Sequence, residues 1–488
     1  MAVGYLLLLT SWAGANPPGA SPDEPAHLTR ALAVASGEWR GHAAAYRESP
    51  EFGPRQLAWI NRVARAFDSV RAGETWSTVT ICNSFHPEVS AACLHGPGPP
   101  SGSPARTYVG TYQPALYAPP GLAARLASSP EGGVRAGRAV MVAITGALLV
   151  FAVAASWSPP LGPWSLVGLM AGVTPTTLFL GSSLNPNGAE IAAGAAWIAG
   201  LLRLGRDRRA AHTTWIWSGL AASGVVLAVA RSLGPLWLVL GAAAAVAIDG
   251  RAAAVAYVRA GGLRARLASA AIAVAVAGAL AWEAAVQPHP THPLGEVVDR
   301  LLPAASELPE VLRQQIGVFG WLDAAMPAGA YAAWRMLLVV LVTLGLLVAG
   351  GRSRRALVTI AVGAAAVTVG LAAAVIHQTG FGMQGRYVMP VVVAVPLVAG
   401  EVLARRRSRL GAALPVRLPA AVAALTATVH LVGWYANGRR QSVGVRGPVW
   451  FIGRGAWSPP GGWATWAAVA LIGAVALVLA GRREPRTA

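Results

Sequence analysis

Lysine is missing from this 488-residue chain: all 39 of its basic residues are arginine, a bias of GC-rich coding. Charge is scarce as well. Charged residues make up 12% of the chain, where an ordinary soluble domain carries about a quarter, and that excludes a freely soluble enzyme. With 55% hydrophobic residues and a mean hydropathy of +0.51, the chain also lacks the balance that keeps a polypeptide disordered. Its 56 glycines and 35 prolines follow no period, which excludes collagen-like and fibrous folds. No Walker-type loop, HExxH, GxSxG or dinucleotide fingerprint occurs in a credible context, so soluble-type nucleotide chemistry has no home. Basic residues nowhere interleave with aromatics, so the net charge of +19 does not signal nucleic acid.

What is present is a series of long apolar runs. They lie near 2–14, 138–156, 163–181, 188–202, 214–230, 234–248, 268–286, 331–350, 356–376, 388–404, 418–436 and 464–481, twelve in all. The sequence therefore predicts an all-α integral membrane protein of about twelve transmembrane helices. Arginines cluster between these runs at 203–209, 251–266, 352–355, 405–417 and 482–486. If the N-terminus is cytoplasmic, every one of these clusters is cytoplasmic, as is the C-terminal RREPRTA, in keeping with the positive-inside rule. The run MAVGYLLLLTSWAGA is short for a span and lacks the basic n-region of a secretory signal. It reads as a signal anchor with a late-placed start, or as a helix completed by packing on its neighbours.

The expected organisation follows: a first helix over 1–14, a large helical extracytoplasmic loop over 15–137, and helices two to seven over 138–286. A second outer loop covers 287–330. Helices eight to twelve cover 331–488, with an outer loop at 437–463 and a cytoplasmic C-terminus. Of the 20 acidic residues, nine fall in the first loop and five in the second. No internal repeat is visible. Cys82 and Cys93, the two cysteines, both lie in the first loop. An isolated pair in an oxidising compartment favours a disulfide, with zinc binding alongside His86 and His95 as the alternative.

Five segments could carry chemistry. In SPDEPAHLTRALAVASG (21–37), Asp23, His27 and Arg30 share one helical face, a set suited to holding a phosphate-bearing donor and deprotonating an acceptor hydroxyl. Ser21, Pro22 and Glu24 also read as a capping box, and Gly37 as the helix end. Glu24 is then a cap before it is a catalyst, and Asp23 the favoured functional acid. TYVGTYQPALYAPPGL (107–122) places Tyr112, Pro114 and Tyr117 at the membrane interface, where tyrosines also serve as plain anchors. SSLNPNGAEIAAG (182–194) carries Glu190 one turn inside an apolar run, facing either a cavity or the solvated interface; Glu283 poses the same choice. QQIGVFGWLDAAMP (314–327) sets Trp321 beside Asp323 in a shaped turn. HQTGFGMQGRYVMP (377–390) holds Arg386, a lone arginine on the acidic side, near Gln384, Tyr387 and His377. Its guanidinium suits two-pronged phosphate binding, or else snorkels as an anchor.

The motifs PDEPAH (22–27), GVFGWLD (317–323) and QGRYVMP (384–390), with the weaker YQPALY (112–117) and LNPN (184–187), resemble those of a bacterial multipass family of unknown function. That family is similar to the C-type (GT-C) glycosyltransferases, membrane enzymes that use polyprenyl-phosphate sugars. The resemblance implies a GT-C-like fold, with Asp23, and Glu24 beside it, as the catalytic or metal-binding carboxylate; a divalent cation would sit there. It implies Arg386 as the group holding the lipid phosphate. No second aspartate stands near LNPN, where some relatives carry an acid; Asn187 and Glu190 occupy that stretch.

The expected function is transfer of a sugar from a polyprenyl-phosphate donor to an envelope glycan or lipid at the outer face of a bacterial plasma membrane. His27 and Arg30 would orient the phosphate or acceptor, and Tyr112, Glu190, Asp323, Gln384 and Tyr387 complete the expected substrate contacts. A flippase or transporter of lipid-linked glycans, and a non-catalytic envelope-assembly subunit, are the alternatives. If Asp23 and Arg386 serve one site, the outer ends of the first and tenth runs must adjoin, and the two side chains should contact different ends of one headgroup.

Overall fold

The computed structural model describes residues 1–46, 52–75, 81–96, 101–287, 295–410 and 417–482. The arginines of the C-terminal stretch beyond Arg482, and the start of the second loop, lie outside the described residues.

The chain is an all-α membrane protein in its bulk. Six helices are long and apolar enough to cross a bilayer: Pro130–Ser156, Arg251–Val286, Ala328–Val348, Gly351–Thr379, Leu418–Val443 and Gly462–Arg482. A seventh crossing results if the pair Gly162–Gly172 and Pro175–Gly181, bent by 71°, forms one broken span. The remaining five apolar runs form helices that are short, interrupted or less apolar: Ala2–Ala15, Pro186–Arg206, Thr214–Ala230, Gly234–Asp249, and Met389–Val392 followed by Ala394–Arg406.

Local sequence explains where these helices start. Ser129 accepts from the Gly132 amide at 3.1 Å with Pro130 behind it, and Asn185 accepts from the Asn187 amide at 3.0 Å ahead of Pro186. Arg203 and Arg206 close the last turn of Pro186–Arg206, where a cation meets the negative end of the helix dipole. There Arg206 pairs with Glu401 at 2.7 Å. Arg405 pairs with Glu401 at 2.7 Å and with Asp249 at 3.0 Å, so three helix ends are tied by one charge network.

The break in the bent pair is not left open. The Thr174 hydroxyl accepts from the Thr177 amide at 3.3 Å, and the Thr174 and Thr176 hydroxyls donate 2.7 Å hydrogen bonds to the Gln315 and Gln314 carbonyls, which ties the break to helix Leu308–Gly317. The short first helix is embedded among the others. Tyr5, Leu8, Leu9 and Trp12 are buried, and Trp12 stacks with Phe179 and Phe319 at centroid distances of 5.4 and 4.9 Å. Gly4 lies so close to helix Gly462–Arg482 that an added Cβ would stand 2.8 Å from the Gly473 carbonyl.

The first loop departs from the helical expectation. Besides helices Glu24–Ala35, Pro54–Val63 and Ala118–Arg125 it holds a three-stranded antiparallel sheet, His42–Ala43, Arg65–Arg71 and Pro104–Thr107 in that order. Two of the strands are only two and four residues long, too short for alternation to declare itself. Phe67 and Val70 of the central strand close a separate small core with Leu28, Leu32, Tyr117 and Trp321. Cys82 and Cys93 form a disulfide, which sets aside zinc at these thiols.

Candidate functional site

The residues singled out in the sequence divide into two groups, one that supports the fold and one that converges. Glu24 belongs to the first. The expected capping box does not form, because Ser21, Pro22, Asp23 and Glu24 make a tight turn, with the Glu24 amide donating to the Ser21 carbonyl at 3.2 Å. Pro22 suits the second position of such a turn, and the third position demands a left-handed residue. Asp23 takes it, with φ 61° and ψ 3°, and becomes the N-cap residue of helix Glu24–Ala35 without capping it through its side chain. Glu24 is instead fully buried in a forked pair with Arg138, at 2.7 and 2.5 Å, and accepts from the Gly19 and Leu184 amides. Every lone pair it would need for catalysis is engaged.

Arg30 is likewise structural. It is buried and donates to the carbonyls of Trp39 at 2.6 Å and Tyr112 at 2.7 Å, so it is not free to hold a phosphate. Asp323 pairs with buried Arg440 at 2.5 Å. Arg440 also donates to the Val89 and Asn83 carbonyls, stapling the disulfide segment to helix Leu418–Val443. Gln384 stands at the N-cap position of the short turn Gly385–Tyr387 without capping it through its side chain, whose buried carbonyl has no partner among the described residues.

Asp23 and Arg386, 363 positions apart, are in direct contact: Arg386 Nη2 donates to Asp23 Oδ2 at 2.5 Å. They neutralise each other rather than standing apart as the sequence suggested. Tyr108 donates to the other carboxylate oxygen at 2.6 Å. Asp23 keeps 22% of its side chain exposed, whereas Arg386 keeps 5%. The Nε and Nη1 groups of Arg386 are buried with no hydrogen-bond partner among the described residues, a costly arrangement that calls for a partner.

A second guanidinium closes the cluster. Arg231, in the turn between helices Thr214–Ala230 and Gly234–Asp249, donates to Asn187 Oδ1 at 2.6 Å and to the Tyr112 hydroxyl at 3.2 Å. Its guanidinium carbon lies 4.4 Å from the Tyr387 ring centroid; that of Arg386 lies 5.5 Å from the same ring. Tyr387 is thus shared by both arginines. Asn185 donates to the Pro22 carbonyl at 3.0 Å, which ties LNPN to the Asp23 turn. Glu190 is buried, accepting from Trp237 at 3.1 Å, and its second oxygen has no partner among the described residues. It is not at a solvated interface. His27 shares the Asp23 helix and contacts the hydroxyl of Tyr117 through Nδ1 at 2.7 Å.

The charges follow from this geometry. Burial alone would raise the Asp23 carboxyl, but Arg386 and the Tyr108 hydroxyl outweigh it and hold the group below its ordinary value. Burial pushes His27 down to about 3, so it is a neutral imidazole at neutral pH. Burial likewise raises the phenols of Tyr108 and Tyr112. Asp23 belongs to no group of three potential metal ligands among the described residues; the one such group is Glu38, His42 and Asp68. Both Asp23 carboxylate oxygens are taken, one by Tyr108 and one by Arg386. Arg231 and Tyr108 were not anticipated from the sequence, although Arg231, like Arg386, is a lone arginine in a short turn between apolar runs.

Residues 6–395 match the sequence profile of a family described as "Predicted membrane protein (DUF2142)". No curated protein matches the chain. No solved structure matches it either.

Proposed function

The chain belongs to the DUF2142 family of predicted membrane proteins, and from the cluster around Asp23 we propose that it is a membrane glycosyltransferase using a polyprenyl-phosphate sugar. On this reading all twelve apolar runs cross a bacterial plasma membrane in a GT-C-like arrangement, with both termini cytoplasmic and the Asp23 cluster facing outward. The observation that carries the reading is Arg386, buried between Asp23 and the ring it shares with Arg231, with two nitrogens that have no hydrogen-bond partner among the described residues. Guanidinium groups so placed suit the oxygens of one phosphate.

In the resting state Asp23 is a poor base, because it is paired with Arg386. A donor phosphate competes for that guanidinium and frees the carboxylate, whose affinity for a proton then rises. The acceptor hydroxyl attacks the anomeric carbon, the bond from that carbon to the phosphate oxygen breaks, and the hydroxyl proton passes to Asp23. Polyprenyl phosphate leaves, with its developing charge held by Arg386 and Arg231. Neutral His27 adds no charge but fixes Tyr117. The acceptor is an envelope glycan or lipid.

A lipid-linked glycan flippase is the second reading, favoured by the 71° break between Gly162–Gly172 and Pro175–Gly181, since transporters use broken helices. Against it, the break is sealed by the Gln314 and Gln315 carbonyls. The deciding experiment incubates purified protein in liposomes with radiolabelled polyprenyl-phosphate sugars and a cell-envelope acceptor extract. Label should enter the acceptor with the native chain and not with Asp23→Asn. Movement of label across the bilayer without transfer overturns the enzyme reading.

A further inference from the structure

An open cleft of about 750 Å³ lies between the loop domain and helix Arg251–Val286, lined by Glu38, Trp39, Arg40, His42, Asp68 and Trp282 among others. Its walls are fixed. Arg30 donates to the Trp39 carbonyl at 2.6 Å, and the Asp68 and Ser69 amides donate to the Glu38 carboxylate at 3.2 and 2.8 Å. Trp282 donates to the Thr111 carbonyl at 2.8 Å. Yet Trp39 leaves 57% of its surface in the open. A large indole held at the rim of a cleft, among carboxylates and an imidazole, is a combination that marks binding sites rather than packing.

We propose that this cleft binds a neutral oligosaccharide, the glycan acceptor in the transferase reading. The C–H face of a sugar ring covers an indole, and its hydroxyls donate to Glu38 and Asp68. Glu38 and Asp68 face Arg40, with His42 3.7 Å from Asp68, so the lining carries little net charge and suits a neutral chain. Position supports the assignment. Arg30 lies 5.7 Å from the Trp282 ring and donates to the Tyr112 carbonyl, while the hydroxyl of Tyr112 receives Arg231. Two residues, Arg30 and Tyr112, thus link the cleft to the arginine cluster.

The identity of the glycan as acceptor rests on the transferase reading; its binding does not. The test therefore reads binding alone. Full-length protein in detergent micelles is titrated with neutral pentose- and hexose-based oligosaccharides, with a uronic-acid oligosaccharide as charge control, following tryptophan fluorescence and thermophoresis. At least one neutral oligosaccharide should bind saturably, and more tightly than the uronic control. Trp39→Ala and Asp68→Asn, both at exposed positions, should each weaken it about tenfold. Absence of saturable binding overturns the proposal, as does binding that neither substitution changes. If Trp39→Ala instead weakens association with anionic vesicles, Trp39 is an interfacial anchor and the proposal also fails. Each of these failures leaves the labelled-sugar assay on Asp23→Asn unaffected.

Discussion

Asp23 and Arg386 show what a single side chain can and cannot do alone. Arg386→Lys keeps the charge and loses the fork. With Nη2 on Asp23 at 2.5 Å, an ammonium has no rigid second prong to offer a phosphate. Donor affinity should fall about tenfold or more while the protein remains folded, as measured by binding of labelled polyprenyl-phosphate sugar. Arg231→Ala should weaken the same affinity, and unchanged binding in both variants would separate the cluster from phosphate recognition. His27 makes a prediction about pH. Its folded-state value of about 3 lies below the ordinary imidazole value of 6.5, so the unfolded chain takes up the proton first. Stability is therefore full above pH 6.5 and falls as pH drops from there toward 3, by about 1.4 kcal/mol per pH unit from this group. Thermal unfolding at pH 7 and pH 5 should show the drop, and His27→Gln should lessen it. Asp23, held low by Arg386, adds to acid sensitivity in the carboxylate range, where its protonation releases the pair.

Helices and loops in this chain are joined by buried charge more than their composition suggests. Glu24, at the start of helix Glu24–Ala35, meets Arg138 in helix Pro130–Ser156, and Arg138 also donates to the Asn16 carbonyl (2.5 Å) and the Pro17 carbonyl (2.8 Å). Removing one partner leaves an uncompensated buried charge, so Glu24→Ala should cost about 3–5 kcal/mol, visible as a large loss of thermal stability in detergent. Glu24→Leu combined with Arg138→Met should recover a substantial part of it. A Glu24→Ala protein that is stable but inactive would instead return Glu24 to the catalytic group. The capping-box pattern around Ser21 and Glu24 was legible in the sequence and misleading, because Pro22 drives a turn there. The contact with Arg138 depends on a helix more than a hundred residues away, which no local pattern encodes. The three-stranded sheet was hidden for a related reason: its strands are short and pair across long loops.

Across the whole molecule, charge placement predicts an orientation. Reporters fused after Arg209, Arg355 or Arg407 should score cytoplasmic, and one in the first loop should score outside. A cytoplasmic score for the first loop would put the Asp23 cluster on the wrong side for the proposed donor chemistry. The charge network of Arg206, Glu401, Arg405 and Asp249 gathers helix ends from three of the arginine-bordered runs.

Sequence by itself determined that this chain is a helical membrane protein, where its apolar runs begin and end, and that its two cysteines belong together. Those properties depend on composition, on period and on capping residues, all of which act within a few turns of chain. It also pointed to Asp23 and Arg386 as unusual residues for their positions. The tertiary structure alone decided that these two touch, that Arg231 and Tyr108 join them, and that Glu24, Arg30 and Asp323 are withdrawn into support. The physical reason is that a buried polar group takes its role from the partner that packing brings to it, here from helices and turns hundreds of residues apart.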